Sequence, residues 1–473
     1  MFVKNLHVGF TPMVVASLKF ALVFGVSVFA ASCGSDGETS EPDMDIPDSS
    51  RPTPQPQRWS TSVVEGGNMG LHPRVALSAN GVVAGAWVST QGREAGPCTE
   101  LGEDAPERVT YQIRYGEFDG TSWTIEDAAE LAFVGQPPGI DFAFNGNEPL
   151  IAAMAGEPSV MFRYCGVNDA AVYERSGPGN WTSNTAVAES GEAVTGDAAS
   201  DFGTVVGYWP ALAISSTGAI GLAHKDVHGG GLQSDDFRRA DLEFALNQGG
   251  SWQPSAVDFG RGGGNFSDAV FDAQDRPVVV HYIPSEDNTG TLTGVWAHRL
   301  EGDEWVRVQL HNQPTSDGPS VALDPQTGTL WVAFYNAQRG FPVVAKLENS
   351  EGFTDTSEWE FEEIGDNRYD EGYGSSLAVS RTGIVGLAYY RCTRATQGLG
   401  ECTAAEDELV FAYWDGFAWE QEVIDTDESG QCGSSPSLVF DAQDRPLIAY
   451  RCEVLVDGVL DTQVHFATRN SAP

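Results

Sequence analysis

PSLVFDAQDRPLIAYR, residues 436–451, decides the fold. An alternating stretch runs to Phe440, polar residues from Asp441 to Arg445 turn the chain, and a second apolar stretch leaves from Pro446, which is the signature of a β-hairpin. The hexapeptide DAQDRP recurs at Asp272, inside SDAVFDAQDRPVVVHY from Ser267, and the two copies lie 441 − 272 = 169 residues apart. That is three periods of about 56 residues. Variants of the same two-strand unit begin at Pro73 (PRVALSANGVVAGAWV), Gly139 (GIDFAFNGNEPLIAAM), Pro210 (PALAISSTGAIGLAHK), Pro319 (PSVALDPQTGTLWVAFY) and Ser375 (SSLAVSRTGIVGLAYY), making seven in all.

Between the hairpins a second element recurs, a polar turn followed by Trp and a strand, at Trp123, Trp181, Trp252, Trp305, Trp359 and Trp419. The last hairpin has no Trp strand after it, whereas Trp59 (RWSTSVV) opens the region with no hairpin before it. The N-terminal strand therefore supplies the missing outer strand of the last unit. Four strands per period and closure by the opposite terminus predict an all-β fold, a seven-bladed β-propeller over residues 58–473. Each four-stranded sheet covers both faces only by stacking on two neighbours, so the ring must close.

The turns DGTSW (Asp119–Trp123) and DGFAW (Asp415–Trp419) resemble the end of the Asp-box, S-x-D-x-G-x-x-W, of sialidase-type (neuraminidase-repeat) propellers. The resemblance spans the folded region in architecture but only a few residues per blade in motif, and it implies the fold rather than an activity.

Residues 1–33 read as a lipoprotein signal peptide. Lys4 and Lys19 precede an uncharged run from Phe20 to Ser32, shorter than the roughly 20 residues that span a bilayer and suited to a signal-peptide core. Ala30-Ala31-Ser32-Cys33 resembles a bacterial lipobox, with Cys33 as the lipidated residue and Ala30 where Leu is usual; Met13 offers an alternative start. Residues 34–57, rich in Gly, Ser, Asp, Glu and Pro, have little to bury and read as a disordered linker. The expectation is an exported lipoprotein, held by its anchor to the outer membrane on the periplasmic side or at the cell surface.

With 26 Lys and Arg against 67 Asp and Glu the formal charge is −41, which excludes a general nucleic-acid binder. Lys225 and Lys346 are the two lysines of the body. Such acidity suits a surface protein kept apart from its neighbours by charge. Asp- and Gly-rich loops leave calcium as the one cofactor to consider, but no D-x-[DN]-x-[DN]-G loop is present, and no cofactor is predicted. Six cysteines remain after Cys33, an even number that suggests disulfides in an exported chain. Cys392 with Cys402, Cys432 with Cys452, and Cys98 with Cys165 are the expected pairs; spacing of the Cys-x-x-Cys kind is lacking, so no metal site is predicted.

Propellers bind on the face made by the loops between second and third strands and between blades, where the long insertions fall. Aligned second strands put Trp87, Met154, His224, His281, Phe334, Tyr389 and Tyr450 at one level, and Val88, Ala155, Lys225, Tyr282, Tyr335, Tyr390 and Arg451 at the next. Side chains alternate along a strand, so one of these two sets faces a given neighbouring blade. The ligand-binding candidates are Trp87, His224, Lys225, Asp226, His281, Tyr335, Arg391 and Arg451; the bland reading of each is packing between blades. No nucleophile elbow, P-loop or dinucleotide fingerprint appears, and a catalytic pair of carboxylates cannot be picked out of 67 acidic residues. The expected function is non-enzymatic binding of a protein or glycan ligand by a monomer; the alternative is a sialidase-like or other glycoside hydrolase.

Overall fold

A computed structural model describes residues 58–67, 69–94, 108–134, 139–156, 168–188, 205–227, 241–258, 263–283, 293–313, 315, 318–365, 369–392, 407–426 and 431–473. The signal segment and linker, and the expected bridge partners Cys98, Cys165 and Cys402, lie outside these residues, as do most residues of the long insertions.

The chain begins its folded course with β1 (Trp59–Glu65). Blade 1 follows as β2 (Leu71–Leu77), β3 (Val83–Glu94), β4 (Arg108–Phe118) and β5 (Trp123–Val134), and blade 2 as β6 (Asp141–Asn145), β7 (Glu148–Gly156), β8 (Asn168–Gly177) and β9 (Asn180–Val187). Blade 3 is β10 (Val205–Ile214), β11 (Ile220–Val227), β12 (Asp241–Asn247) and β13 (Trp252–Asp258); blade 4 is β14 (Asn265–Phe271), β15 (Pro277–Ile283), β16 (Gly294–Glu301) and β17 (Glu304–His311). Blade 5 is β18 (Ser320–Leu323), β19 (Leu330–Asn336), β20 (Phe341–Leu347) and β21 (Glu360–Glu363), and blade 6 is β22 (Asp370–Val379), β23 (Val385–Cys392), β24 (Glu408–Trp414) and β25 (Trp419–Thr426). Blade 7 contains β26 (Gln431–Phe440), β27 (Pro446–Val456) and β28 (Val459–Arg469), and its fourth strand is β1, paired antiparallel to β28 from Trp59 opposite Arg469. The seven-bladed propeller closes through its N-terminal strand.

The repeat is legible because each turn has a fixed chemistry. In the hairpin joining first and second strands, the opening residue accepts from backbone amides of its own turn: Asp272 from Gln274 and Arg276, Asp441 from Gln443 and Arg445, Ser380 from Thr382 and Ile384. Such Asx and Ser/Thr turns stand in for backbone acceptors. Three residues on, Asp275 and Asp444 take left-handed φ of 56° and 57° where Gly81, Gly218 and Gly383 serve in sister blades. In the outer turns Asp119 accepts from the amides of Thr121 and Ser122, and Asp415 from those of Phe417 and Ala418, so both carboxyls are held below the ordinary range by these hydrogen bonds.

The outer Trp strands tie blade to blade. Trp181, Trp305, Trp419 and Trp59 donate their indole N–H to Glu126, Ser255, Glu362 and Glu422, each on the preceding blade's outer strand three residues beyond its own Trp. Apolar side chains from facing sheets fill the space between, as where Val278, Val280 and Val295 of blade 4 pack with Val321, Leu330 and Phe334 of blade 5.

Candidate functional site

The first strand of each blade is the innermost, so its first residues meet at the axis. Arg74, Asp141, Ala211, Asp268, Ser320, Ser376 and Ser437 occupy equivalent positions there and line a cavity of about 350 Å³. Five of these side chains accept from an amide of the next blade: Asp141 from Leu212 (2.7 Å), Asp268 from Val321 (2.8 Å), Ser320 from Leu377 (3.1 Å), Ser376 from Leu438 (3.0 Å) and Ser437 from Val75 (3.0 Å). Arg74 and Ala211 offer no acceptor, and the amides left over, those of Phe142 and Ala269, are taken by the carboxylates of their own preceding residues, Asp141 and Asp268. All seven amides at this level are thereby satisfied, which explains why Asp stands where the blade before it supplies nothing.

Burial pushes Asp141 up to about 6, opposed by Arg74, whose Nε lies 3.3 Å from Asp141 Oδ1. Burial also raises Asp268, against hydrogen bonds from the Val321 amide and the Ser320 hydroxyl. Aromatic side chains belong to the lining: Trp209 and Phe266 lie with ring centroids 4.4 Å apart and planes at 30°, and His72 is among the same lining residues. His72, Trp209, Phe266 and Ser435 hold left-handed φ of 44–51°, a strained conformation for side-chain-bearing residues that concentrates at binding sites. In five blades a glycine lies at or just before the bulged start of the first strand: Gly70, Gly207, Gly264, Gly372 and Gly433 all have positive φ, and a Cβ on any of them would come within 2.7–2.9 Å of the preceding blade's backbone or, at Gly264, of the Lys225 Cβ.

None of the eight residues singled out in the sequence lines this cavity. Trp87, His224, Lys225, Asp226, His281 and Tyr335 are at most 2% exposed. His224 and His281 serve the bulges, their Nδ1 atoms accepting from the amides of Gly207 (3.3 Å) and Gly264 (2.9 Å). Lys225 comes nearest the site: its ammonium donates to Asn265 Oδ1 (2.6 Å) and sits 5.5 Å from the centre of the Trp209 ring. Trp87 donates to Glu65 (2.8 Å), and Asp226 lies opposite Asp241 at the end of the β11–β12 pair. Tyr335 reaches from blade 5 to Asp370 (2.7 Å) and Tyr373 (2.9 Å) of blade 6. Arg391 pairs with Glu408 across its own sheet and covers the Tyr369 ring at 4.1 Å, while Arg451 pairs with Glu453. These two arginines are each engaged within their own blade.

Asp258, His281 and His298 form a buried cluster with ligand atoms within 4.8 Å of one another. The hydrogen bonds argue against a cation held by both imidazoles. Because His281 Nδ1 accepts an amide proton, its Nε2 carries the proton and donates to His298 Nε2 at 3.0 Å, leaving no lone pair there for a metal. Burial, with His298 and Lys225 nearby, holds His281 well below the ordinary imidazole range. Of the expected bridges, Cys432–Cys452 is formed between β26 and β27, and Cys392 is disulfide-bonded. Cys432 lies inside β26, and β27 continues past Cys452 to Val456.

The axial residues lie on or at the start of the first strands, whereas the eight candidates all lie on second strands. The signal was present in the residues opening each hairpin unit, His72-Pro73-Arg74, Trp209-Pro210-Ala211 and Ser435-Pro436-Ser437 among them.

No family model and no curated protein matches this sequence. Among solved structures, a protein of unknown function from Dyadobacter fermentans covers 87% of this chain and 100% of its own at 13% identity, with a TM-score of 0.45. An α-L-arabinofuranosidase from Fusarium graminearum covers 84% of this chain and 92% of its own at 11% identity (TM-score 0.42), and a sialidase from Streptococcus pneumoniae 86% and 70% at 9% (TM-score 0.43). Likeness at this level concerns the path of the chain and not its chemistry.

Proposed function

We propose that this protein is a lipid-anchored, extracytoplasmic propeller that binds a glycan at its axial cavity without turning it over. The observation that carries the reading is the cavity lining: a tilted Trp209–Phe266 pair with Arg74 in the same cavity, on a ring shaped by all seven first strands. Aromatic faces with a few fixed polar groups are what a concave small-ligand site requires. The two carboxylates at the axis each hold two backbone amides, which suits a structural acceptor better than a nucleophile. Anchoring at Cys33 and the reach of residues 34–57 extend the sequence reading. A protein ligand offering the same chemistry would use the same cavity.

A second reading, glycoside hydrolysis, is favoured by one observation: Asp141 sits near 6, within the range of a general acid. One experiment addresses both. The purified protein is screened on a glycan array and against chromogenic glycosides, with Trp209→Ala and Asp141→Asn alongside. Saturable binding that Trp209→Ala weakens at least tenfold and that occurs without turnover supports the lectin-like reading; turnover lost in Asp141→Asn replaces it with the hydrolase, and no binding of any glycan rejects both.

A further inference from the structure

The Cys432–Cys452 bridge does not stand alone. Cys432 Sγ, Cys452 Sγ, one His465 nitrogen and one Asp425 oxygen all lie within 4.8 Å of one another. Three of these residues belong to β26, β27 and β28 of blade 7, and the fourth to β25 of blade 6. We propose that reduction of this disulfide opens a zinc site, Cys432, Cys452, His465 and Asp425, that fastens the sixth blade to the closing one.

Two thiolates, an imidazole and a carboxylate are four donors that zinc binds, and the thiolates favour zinc over hard cations. The imidazole is preset for the task. Gln463 Nε2 donates to Asp461 Oδ2 (2.9 Å), which turns its Oε1 toward His465 Nε2 at 3.0 Å. That nitrogen must therefore carry the proton, and Nδ1, 3.8 Å from Asp425 Oδ2, presents its lone pair to the cluster. Asp425 is oriented in turn by the Tyr450 hydroxyl, which donates to its Oδ2. Partners of this sort behind each ligand are how metal sites fix tautomer and direction. The contrast with His281, whose proton sits on the nitrogen facing its cluster, is what selects this group.

The sulfurs are on directly opposed residues with Cα atoms 4.1 Å apart, so both stay on one side of the sheet after the bond between them breaks. Cys432 and Cys452 are buried, while the His465 and Asp425 side chains are 13% and 20% exposed. A dithiol reductant supplies two electrons and two protons, becoming a disulfide as Cys432 and Cys452 become thiols. Zinc then binds as those two protons leave, so metal uptake is coupled to pH.

The test uses the full purified chain reduced with a phosphine under argon, the phosphine taking an oxygen from water as it gives up two electrons. Cobalt(II) is titrated as a spectroscopic stand-in and zinc by competition, while circular dichroism follows the fold. The expected result is a thiolate-to-cobalt charge-transfer band absent from the oxidised protein. It should also be absent from the Cys432→Ser/Cys452→Ser variant, which retains every other cysteine, and His465→Ala should bind about 10–100-fold more weakly. A band of equal strength in the double serine variant assigns the metal to other cysteines and overturns the proposal, as does unchanged affinity in His465→Ala. If reduction alone unfolds the chain, zinc must restore the fold and raise its melting temperature; failure to do so overturns the site as well.

Discussion

At the axis, the choice between Ser and Asp at one position follows from what the neighbouring residue lacks. Asp268 holds two amides because Ala211 holds none. Asp268→Ser is expected to orphan one buried amide and cost about 1–3 kcal/mol. Ala211→Ser, which returns an acceptor to blade 3, should recover much of that loss in the double variant while doing little alone; urea denaturation of the four proteins gives the coupling directly. Asp141 adds a pH dependence. Burial lifts its pKa above the ordinary 3.8 to about 6, so between these values the folded chain keeps a proton that the unfolded chain releases. Its contribution to stability is complete below about pH 4 and is lost as pH rises through 6. Relative to wild type, Asp141→Asn should remove about 1–3 kcal/mol of the decline between pH 4 and 7, read as the difference between two denaturation curves.

The first strand is bulged in five of the seven blades, through register shifts in β2, β10, β14, β22 and β26. Its glycine must be a glycine: Gly433 has φ of 108°, and a Cβ there would stand 2.7 Å from the Leu409 backbone nitrogen of blade 6. Gly433→Ala carries both a conformational cost of about 1–3 kcal/mol and a clash with main chain that cannot rotate away, whereas Gly81→Ala, with nothing within 4 Å, carries the first alone. A thermal melt of each variant separates the two costs. The bulge also turns the next residues toward the axis, placing Trp209 and Phe266 in the cavity lining and leaving amides that His224 and His281 accept. A search by residue type alone finds the histidines; only the bulge, visible as register shifts between β10 and β11 and between β14 and β15, says what they do.

For the molecule as a whole, closure rests on a few residues near the two ends of the chain. Trp59, 6% exposed, packs edge-on to Phe411 and donates to Glu422, and Glu422 also receives Arg58 and Arg469. Trp59→Ala is expected to cost about 3–5 kcal/mol and to expose both ends of the ring to limited proteolysis, whereas Trp305→Ala, which ties blade 4 to blade 3 through Ser255, should destabilise without opening the termini. Equal protection of the termini in both variants would show that the seam is held by other contacts.

The number of blades, the strand order within each, the closing partner of the last and the Cys432–Cys452 bridge were all legible along the chain, because turns and strand alternation are local and repeat seven times. Even the W-x-x-E spacing of the outer ties stands in the sequence once the ring is known. The axial site was decided only in three dimensions. Its residues come one blade at a time from positions about 60 residues apart, and a serine at 376 means nothing until the amide of Leu438 lies beside it. The same holds for Asp425 and His465, unremarkable in the chain and brought to one disulfide by the stacking of blade 6 on blade 7. Tertiary packing supplied both sites, since hydrogen-bonding and ligand geometry depend on distances that the sequence encodes only through the whole fold.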